Sequence, residues 1–529
     1  MFRLAYLGLL LGLSLVLAAT PPASGVPLAV WLLGLPVLFV GAHDIIQRRH
    51  ALLRNYPLVG HFRYVLERVR PEIRQYFGES DIDGVPLDRE VRSLVYRRAK
   101  GDPETVPFGT KRNLAAVGVE WAAHAMYPRP ARTEEARVVV GEATSAQPYA
   151  CSRLNIAAMS YGALGDTAIR ALSRGARLGG FAHNTGEGGV SPHHLAGGGD
   201  LIWQLGTAYF GCRDREGRFD PEKFRDVAQH PNIKMIELKL SQGGKPGYGG
   251  VLPASKVSAE IATIRGVRQG ERVMSPSRHP GIDSPVALLH FIAQLRDLSG
   301  RKPVGVKLCV GAERDVVELI EAMIKTGITL DYIVVDGAEG GTGAAPQEFT
   351  NHVGAPLEHG LVLVVDTLRR AGLRDMTKVF ASGRILTGFD LLRAIALGAD
   401  GCFSGRGMML ALGCIQALRC NTNDCPVGIA TQDPALTRAL DVGDKSVRVK
   451  RYHEATIASF HSLLGAVGLS DPSELRRGHI LRRVSMMHIA SLAELYPDEH
   501  ERGSRDGSYA DARPGQHALL RSSASQPPS

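Results

Sequence analysis

From about residue 150 the chain alternates between short apolar runs ending in glycine or a polar residue and longer stretches with helical spacing. The apolar runs are LNIAAM (154–159), GGFAHN (179–184), GTAYFG (206–211), IKMIELKL (233–240), VGVKLC (304–309), DYIVVDG (331–337), KVFASG (378–383) and ADGCFSG (399–405). Between them lie amphipathic stretches such as SPVALLHFIAQLRDL (284–298) and GFDLLRAIALG (388–398). Strand alternating with helix predicts a parallel sheet. Eight such units predict an α/β fold closed into a (β/α)8 TIM-type barrel. An open doubly wound sheet is the alternative.

The ends of the chain have other patterns. Residues 4–19 are apolar throughout, TPPASG follows, and residues 27–43 are nearly all apolar. Each run falls just short of the ~20 residues of a spanning helix. Together they predict a transmembrane hairpin over 1–43. Arg3 precedes the hairpin, and Arg48, Arg49, Arg54, Arg63, Arg68, Arg70 and Arg74 follow it. The positive-inside rule then places both ends, and the catalytic domain, at the cytoplasmic face of the cytoplasmic membrane. A cleaved signal peptide ending near Ala18-Ala19 is the rival. Residues 44–149 read as a basic juxtamembrane and connecting region. Residues 150–475 read as the barrel, 476–497 as a C-terminal helical extension, and the polar 498–529 as a disordered tail.

Composition adds little: 44% hydrophobic and 22% charged residues are ordinary for a globular protein. The net charge of +9 is concentrated in the Arg-rich segment beside an apolar run. That favours a membrane surface over nucleic acid, for which the chain carries no motif.

In a barrel of this kind, chemistry gathers at the C-terminal ends of the strands. The unusual residues fall there: Met159-Ser160-Tyr161, Asn184 to Glu187, Lys239 to Lys245, Lys307, Asp336 to Gly343, Ser382-Gly383-Arg384 and Gly405-Arg406. The last two groups follow the seventh and eighth runs, where many barrels bind a phosphate through backbone exposed by glycine. GAEGGTGAAP (337–346) is a glycine-rich loop at a strand end. It lacks the strand-plus-acid context of a dinucleotide-binding fingerprint.

Of seven cysteines, Cys151, Cys212, Cys309 and Cys402 are scattered in apolar runs and read as small buried residues. Cys414, Cys420 and Cys425 crowd into GCIQALRCNTNDCPVG (413–428). Structural zinc wants four ligands, usually in closer pairs. Simple burial fits the polar NTND setting poorly. Clustered cysteines with a trailing proline fit an iron–sulfur cluster, and three thiolates fit a 3Fe–4S cluster.

These motifs together resemble the FMN-binding synthase domain of the glutamate synthases over roughly residues 150–470. The resemblance rests on MSYGALG (159–165), NTGEGG (184–189), KLSQGGKPGYGG (239–250), SPSRHPGIDS (275–284), DGAEGGTGAAP (336–346) and the cysteine segment with its trailing PVGIATQ (414–432). It implies an oxidoreductase acting on CH–NH2 donors. Electrons from ferredoxin or a pyridine-nucleotide-oxidising flavoprotein would pass through a 3Fe–4S cluster to FMN and reduce 2-iminoglutarate, formed from 2-oxoglutarate and ammonia, to L-glutamate.

Residue by residue, the resemblance implies that Cys414, Cys420 and Cys425 ligate iron. Met159, Ser160, Gly162, Asn184, Lys307, Asp336, Gly340, Gly341, Thr342 and Gly343 would surround the flavin. Ser382, Gly383, Arg384, Gly405 and Arg406 would hold its phosphate. Lys239, Lys245 and Arg265 would contact 2-oxoglutarate, and Glu187 would join Lys239 and Lys245 in catalysis. Two or three cations suit a dicarboxylate.

The chain departs from the family pattern in three ways. It opens Met1-Phe2-Arg3 without the glutaminase domain, so ammonia or another amine would be free or supplied by a partner. No β-helical domain is expected after residue 470. Tyr248 and Val251 stand where the family usually has an acid and a Gln. Losing a hydrogen-bonding side chain can change specificity by orders of magnitude. A related amino-transfer enzyme, such as an N-methylglutamate synthase acting on another amine or keto acid, is therefore a second expectation. A membrane-tethered flavin and Fe–S electron-transfer subunit is a third.

Overall fold

The computed structural model describes residues 8, 11, 12, 14, 15, 19, 28–47, 51–132, 134, 135 and 137–497. The chain divides into two compact units, Met1–Arg89 and Glu90–Ser529.

In the first unit the second apolar run forms the helix Leu28–Ile46, which carries Pro36 within it and His43 and Asp44 in its last turn. Asp44 is fully buried and accepts from the Leu58 N–H and from His61 Nε2, both at 2.9 Å. The helices Ala51–Asn55 and Val59–Ile73 follow. Among the described residues no helix is long and apolar enough to cross a membrane. That overturns the expected two-helix anchor and the membrane location built on it. The run closes on a buried carboxylate that serves as a polar tie to the next helices. Most of the first apolar run, residues 4–19, lies outside the described residues, as does the tail from 498.

The second unit holds the barrel. Its strands are β1 (Leu154–Ile156), β2 (Ala182–Asn184), β3 (Asp200–Leu205), β4 (Ile233–Lys239), β5 (Val304–Leu308), β6 (Tyr332–Asp336), β7 (Lys378–Ser382) and β8 (Gly401–Ser404). They pair in parallel in chain order, and β8 closes on β1. The doubly wound alternative is excluded by that closure. Seven strands overlap the predicted runs. The third does not: β3 is DLIWQL, and the predicted GTAYFG is the loop after it. Leu201, Ile202, Trp203 and Leu205 are fully buried, whereas Gly211 and Tyr209 adopt left-handed backbone that a strand cannot hold.

The predicted helices form as Pro285–Leu298 and Gly388–Ala396. Ser284 caps the first, and a Thr387/Asp390 capping box starts the second. A ribbon of Val138–Val140 against Tyr149–Cys151 joins the barrel core through Val138, Val140 and Cys151. Its turn bonds to Arg301 at the N-terminal end of β5. The opposite, C-terminal end is left for chemistry. The segment 476–497 is not a helical extension. Ile480–Arg483 pairs with Glu120–Ala122 and with Ile489–Ser491 in a small antiparallel sheet. Alternating burial on these short strands had too little length to show in the sequence.

Candidate active site

The C-terminal mouth collects most of the predicted residues. Lys239 ends β4, and its Nζ pairs with Glu187 Oε1 at 3.0 Å. Gly206 and Gly250 flank that carboxylate: a Cβ on Gly250 would lie 2.2 Å from Glu187 Oε1, and one on Gly206 2.6 Å from its Cβ. Two glycines thus make the seat of the acid. Burial alone would push the Glu187 carboxyl up, but Lys239, Arg265 and Lys245 outweigh it and hold it below the ordinary carboxylate range. Lys245 is buried, and burial with repulsion from Lys239 brings its ammonium down to about 8, against the pull of Glu187. Arg265 ends the helix Ala259–Arg265. Its guanidinium donates to the Tyr161 carbonyl at 2.9 Å and lies over the Phe210 ring. Gly162 and Gly188 leave room for it, since a Cβ on either would fall within 3.0 Å of Nη2. A cleft lined by Glu187, Lys239, Ser241, Lys245 and Ser277 opens here. It offers two cations, one carboxylate and hydroxyls, with the charge of Arg265 acting on Glu187 from outside the lining.

A second charged pair lies deeper. Lys307 on β5 meets Asp336 at the end of β6 at 3.1 Å. Asp336 also accepts the Gly243 N–H at 3.0 Å. Burial would lower the Lys307 ammonium, but Asp336, Glu237 and Glu187 raise it above its ordinary value, so it stays charged. The loops after β4 and β6 cross here without side chains between them: a Cβ on Gly243 would fall 1.9 Å from the Gly337 carbonyl. Gly340 and Gly341 continue the crossing loop, and Arg406 bonds the Glu339 carbonyl at 2.6 Å. Burial lowers the Arg406 guanidinium, and repulsion from Arg384, which sits in left-handed backbone after Gly383, adds to that depression. Two guanidiniums close enough to influence one another thus lie beside glycine-rich backbone. Met159 bonds through its N–H to the Asn184 carbonyl, which ties the loop holding Ser160 to the end of β2.

Cys414, Cys420 and Cys425 are free, and the four scattered cysteines are free and buried, as read from their apolar settings. Among the described residues no three His, Cys, Asp or Glu side chains gather tightly enough to hold a metal ion. The three thiols nonetheless share one locale. Burial raises the Cys414 thiol to about 11, and the Cys420 and Cys425 thiols add to the rise. Gly343 of the glycine-rich loop approaches Cys420 so closely that a Cβ would lie 3.0 Å from the cysteine's own. Gln432 donates to the carbonyls of Gly162 and Leu164, at 3.1 and 2.8 Å. The cysteine segment is thus stitched to the mouth loop after β1.

The conserved region in glutamate synthase matches residues 127–470. The chain belongs to the glutamate synthase family. It is therefore an oxidoreductase. The glutamate synthase large subunit-like protein YerD of Bacillus subtilis is 38% identical over 492 residues, 85% of this chain and 93% of that protein. The archaeal-type NADPH glutamate synthase of Thermotoga neapolitana is 36% identical over 321 residues, 60% of each chain. The archaeal NADPH glutamate synthase of Methanocaldococcus jannaschii is 36% identical over 322 residues. This chain spans about 60% of the length of these two relatives. Among solved structures, mandelate oxidase with (S)-2-phenylpropionate aligns at a TM-score of 0.43 and 17% identity, over 74% of this chain and 99% of that one.

Within this glutamate synthase barrel one group escaped the sequence reading. Glu237 on β4 is fully buried, and its Oε1 accepts from Asn184 Nδ2 at 2.9 Å and Gln204 Nε2 at 2.6 Å. Its Oε2 has no partner. Burial pushes its carboxyl up, against the pull of Lys307. The only sequence signal was the position itself: Glu237 and Lys239 share one face of a strand in an otherwise apolar run.

Proposed function

We propose that this chain is a glutamate-synthase-type oxidoreductase that holds FMN and a 3Fe–4S cluster and reductively aminates 2-oxoglutarate to L-glutamate. The observation that carries it is the pairing, at one barrel mouth, of a cation-lined cleft with a glycine-rich loop that reaches the cysteine segment.

The residues present fit both groups. Lys307, charged and buried, suits the electron-rich edge of a flavin ring, and Met159, Ser160, Gly162, Asn184, Asp336, Gly340, Gly341, Thr342 and Gly343 would enclose it. Ser382, Gly383, Arg384, Gly405 and Arg406 would hold its phosphate. Cys414, Cys420 and Cys425 would hold the cluster, whose irons spread over several atoms and do not require thiolates drawn around one ion. When bound, the two groups supply the reducing electrons, delivered by a ferredoxin or a pyridine-nucleotide-oxidising flavoprotein.

The remaining work falls to the chain. Lys239, Lys245 and Arg265 orient the two carboxylates of the keto acid. Glu187, ionised beside Lys239, holds the amine at the carbonyl, takes the proton the nitrogen loses as it adds to the carbonyl carbon, and returns it to the departing oxygen, which leaves as water. The glycine contacts around Glu187 keep that acid from swinging out. Ammonia comes free or from a partner.

A second reading, reduction with another amine or keto acid as in N-methylglutamate synthesis, draws on one feature. Tyr248 packs edge-on against Phe349, ring centres 5.0 Å apart, with the Lys245 ammonium 5.9 Å from its ring centre. That aromatic wall and Val251 replace hydrogen-bonding side chains. The test is direct. Protein reduced anaerobically is mixed with 2-oxoglutarate and ammonia, or with methylamine. Recovery of oxidised flavin absorbance with ammonia, and formation of glutamate, supports the first reading. Recovery with methylamine alone selects the second. Recovery with neither would mean a flavin and Fe–S electron carrier without this turnover.

A further inference from the structure

Lys256 is a buried charge that neither the substrate cleft nor the flavin site uses. It ends the short turn Ala254–Lys256 and is 1% exposed. Its Nζ donates to the Ala163 carbonyl at 2.8 Å, in the mouth loop after β1, and to the Cys420 carbonyl at 2.7 Å. The neighbouring Ser255 carbonyl accepts from Asn423 at 3.0 Å, so the turn grips the cysteine segment twice. The mouth lysines Lys239 and Lys307 each have a carboxylate partner. Among the described residues Lys256 has none, and the ionisable groups it faces are the thiols of Cys420 and Cys425. A buried ammonium bonded only to neutral carbonyls loses more in hydration than they return. Among the described residues, the groups positioned to supply a matching negative charge are on the cysteine side.

We propose that Lys256 is the counter-ion of the iron–sulfur group held by Cys414, Cys420 and Cys425, and that its positive charge makes that group easier to reduce. The inference rests on the cluster reading above. A cluster that accepts one electron gains one negative charge, so a cation beside it favours the reduced form. The contact with Ala163 gives the same residue a second role. It holds the cluster segment in register with the loop that lines the flavin site. Lys256 is therefore a positioning and tuning residue rather than a catalytic one.

The test uses the full chain, loaded anaerobically, with K256M removing the charge and K256R keeping it. Cluster reduction is followed by EPR during a redox titration, and flavin reduction by absorbance as an internal control. The K256M cluster should be about tenfold harder to reduce at a fixed potential, a shift of about 59 mV for a one-electron couple. The K256R cluster should stay near wild type. Loss of the cluster in K256M but not in K256R also supports the charge requirement. An unmoved K256M potential overturns the proposal. So does loss of the cluster in both variants, which would make Lys256 a packing residue. A wild-type chain that takes up no cluster overturns the underlying reading instead, and that result is distinct from a loaded cluster with an unmoved potential.

Discussion

At the residue scale the barrel mouth depends on charges held where water is scarce. Lys245 is the one most open to a pH test. Its ammonium is pulled down to about 8, so the free protein carries that charge below this pH and loses it above. A dicarboxylate needs the charged form. The apparent affinity for the keto acid, read as kcat/KM, should fall as pH rises through about 8, and K245M should abolish that limb of the profile. Glu187 is already ionised across this range, held down by three cations. E187Q should keep the fold and cut turnover by about a hundredfold or more, measured as kcat at saturating keto acid. Glu237 makes a different prediction. E237Q keeps an acceptor for Asn184 and Gln204 and should leave thermal stability nearly unchanged. E237L strands both amides in the core and should cost about 1–3 kcal/mol for each, measured by denaturant unfolding. Most charged residues of the mouth could be read from the sequence, because they follow apolar runs directly. Glu237 and Lys256 could not: one sits inside a strand and the other on a turn, and their roles depend on partners far away in the chain.

At the scale of elements, the barrel was readable because β-prone runs and capped helices alternate, and Ser284 and Thr387 mark helix starts plainly. The third strand was misplaced by a few residues because DLIWQL and GTAYFG abut, and both are apolar. Burial decides between them, and burial is not local information. The loops depend on glycine at one crossing above all. G243A would drive a methyl group into the Gly337 carbonyl, displacing the loop after β6. We expect a loss of about 1–3 kcal/mol and a fall in bound flavin, checked by thermal unfolding and by the ratio of flavin to protein absorbance.

At the scale of the whole molecule, 25 helical residues, Val442–Ala466, lie along the outside of the barrel and lock onto the helix Asp166–Gly179, where a Cβ on Gly175 would meet Val449 at 2.7 Å. This brace follows the cysteine segment in the chain and fixes where that segment returns to the barrel. The expected membrane hairpin failed at this scale: among the described residues no helix is long and apolar enough to cross a bilayer. The central claim is that one barrel mouth holds both a flavin and an iron–sulfur cluster. The most direct measurement is the absorbance and low-temperature EPR spectrum of the full chain purified anaerobically, with iron and FMN assayed on the same sample. The expected result is a flavin spectrum, about one FMN per chain, and an oxidised-state EPR signal that disappears in C420A. Flavin without any cluster, even after reconstitution with iron and sulfide, would contradict it and leave the three cysteines as structural residues.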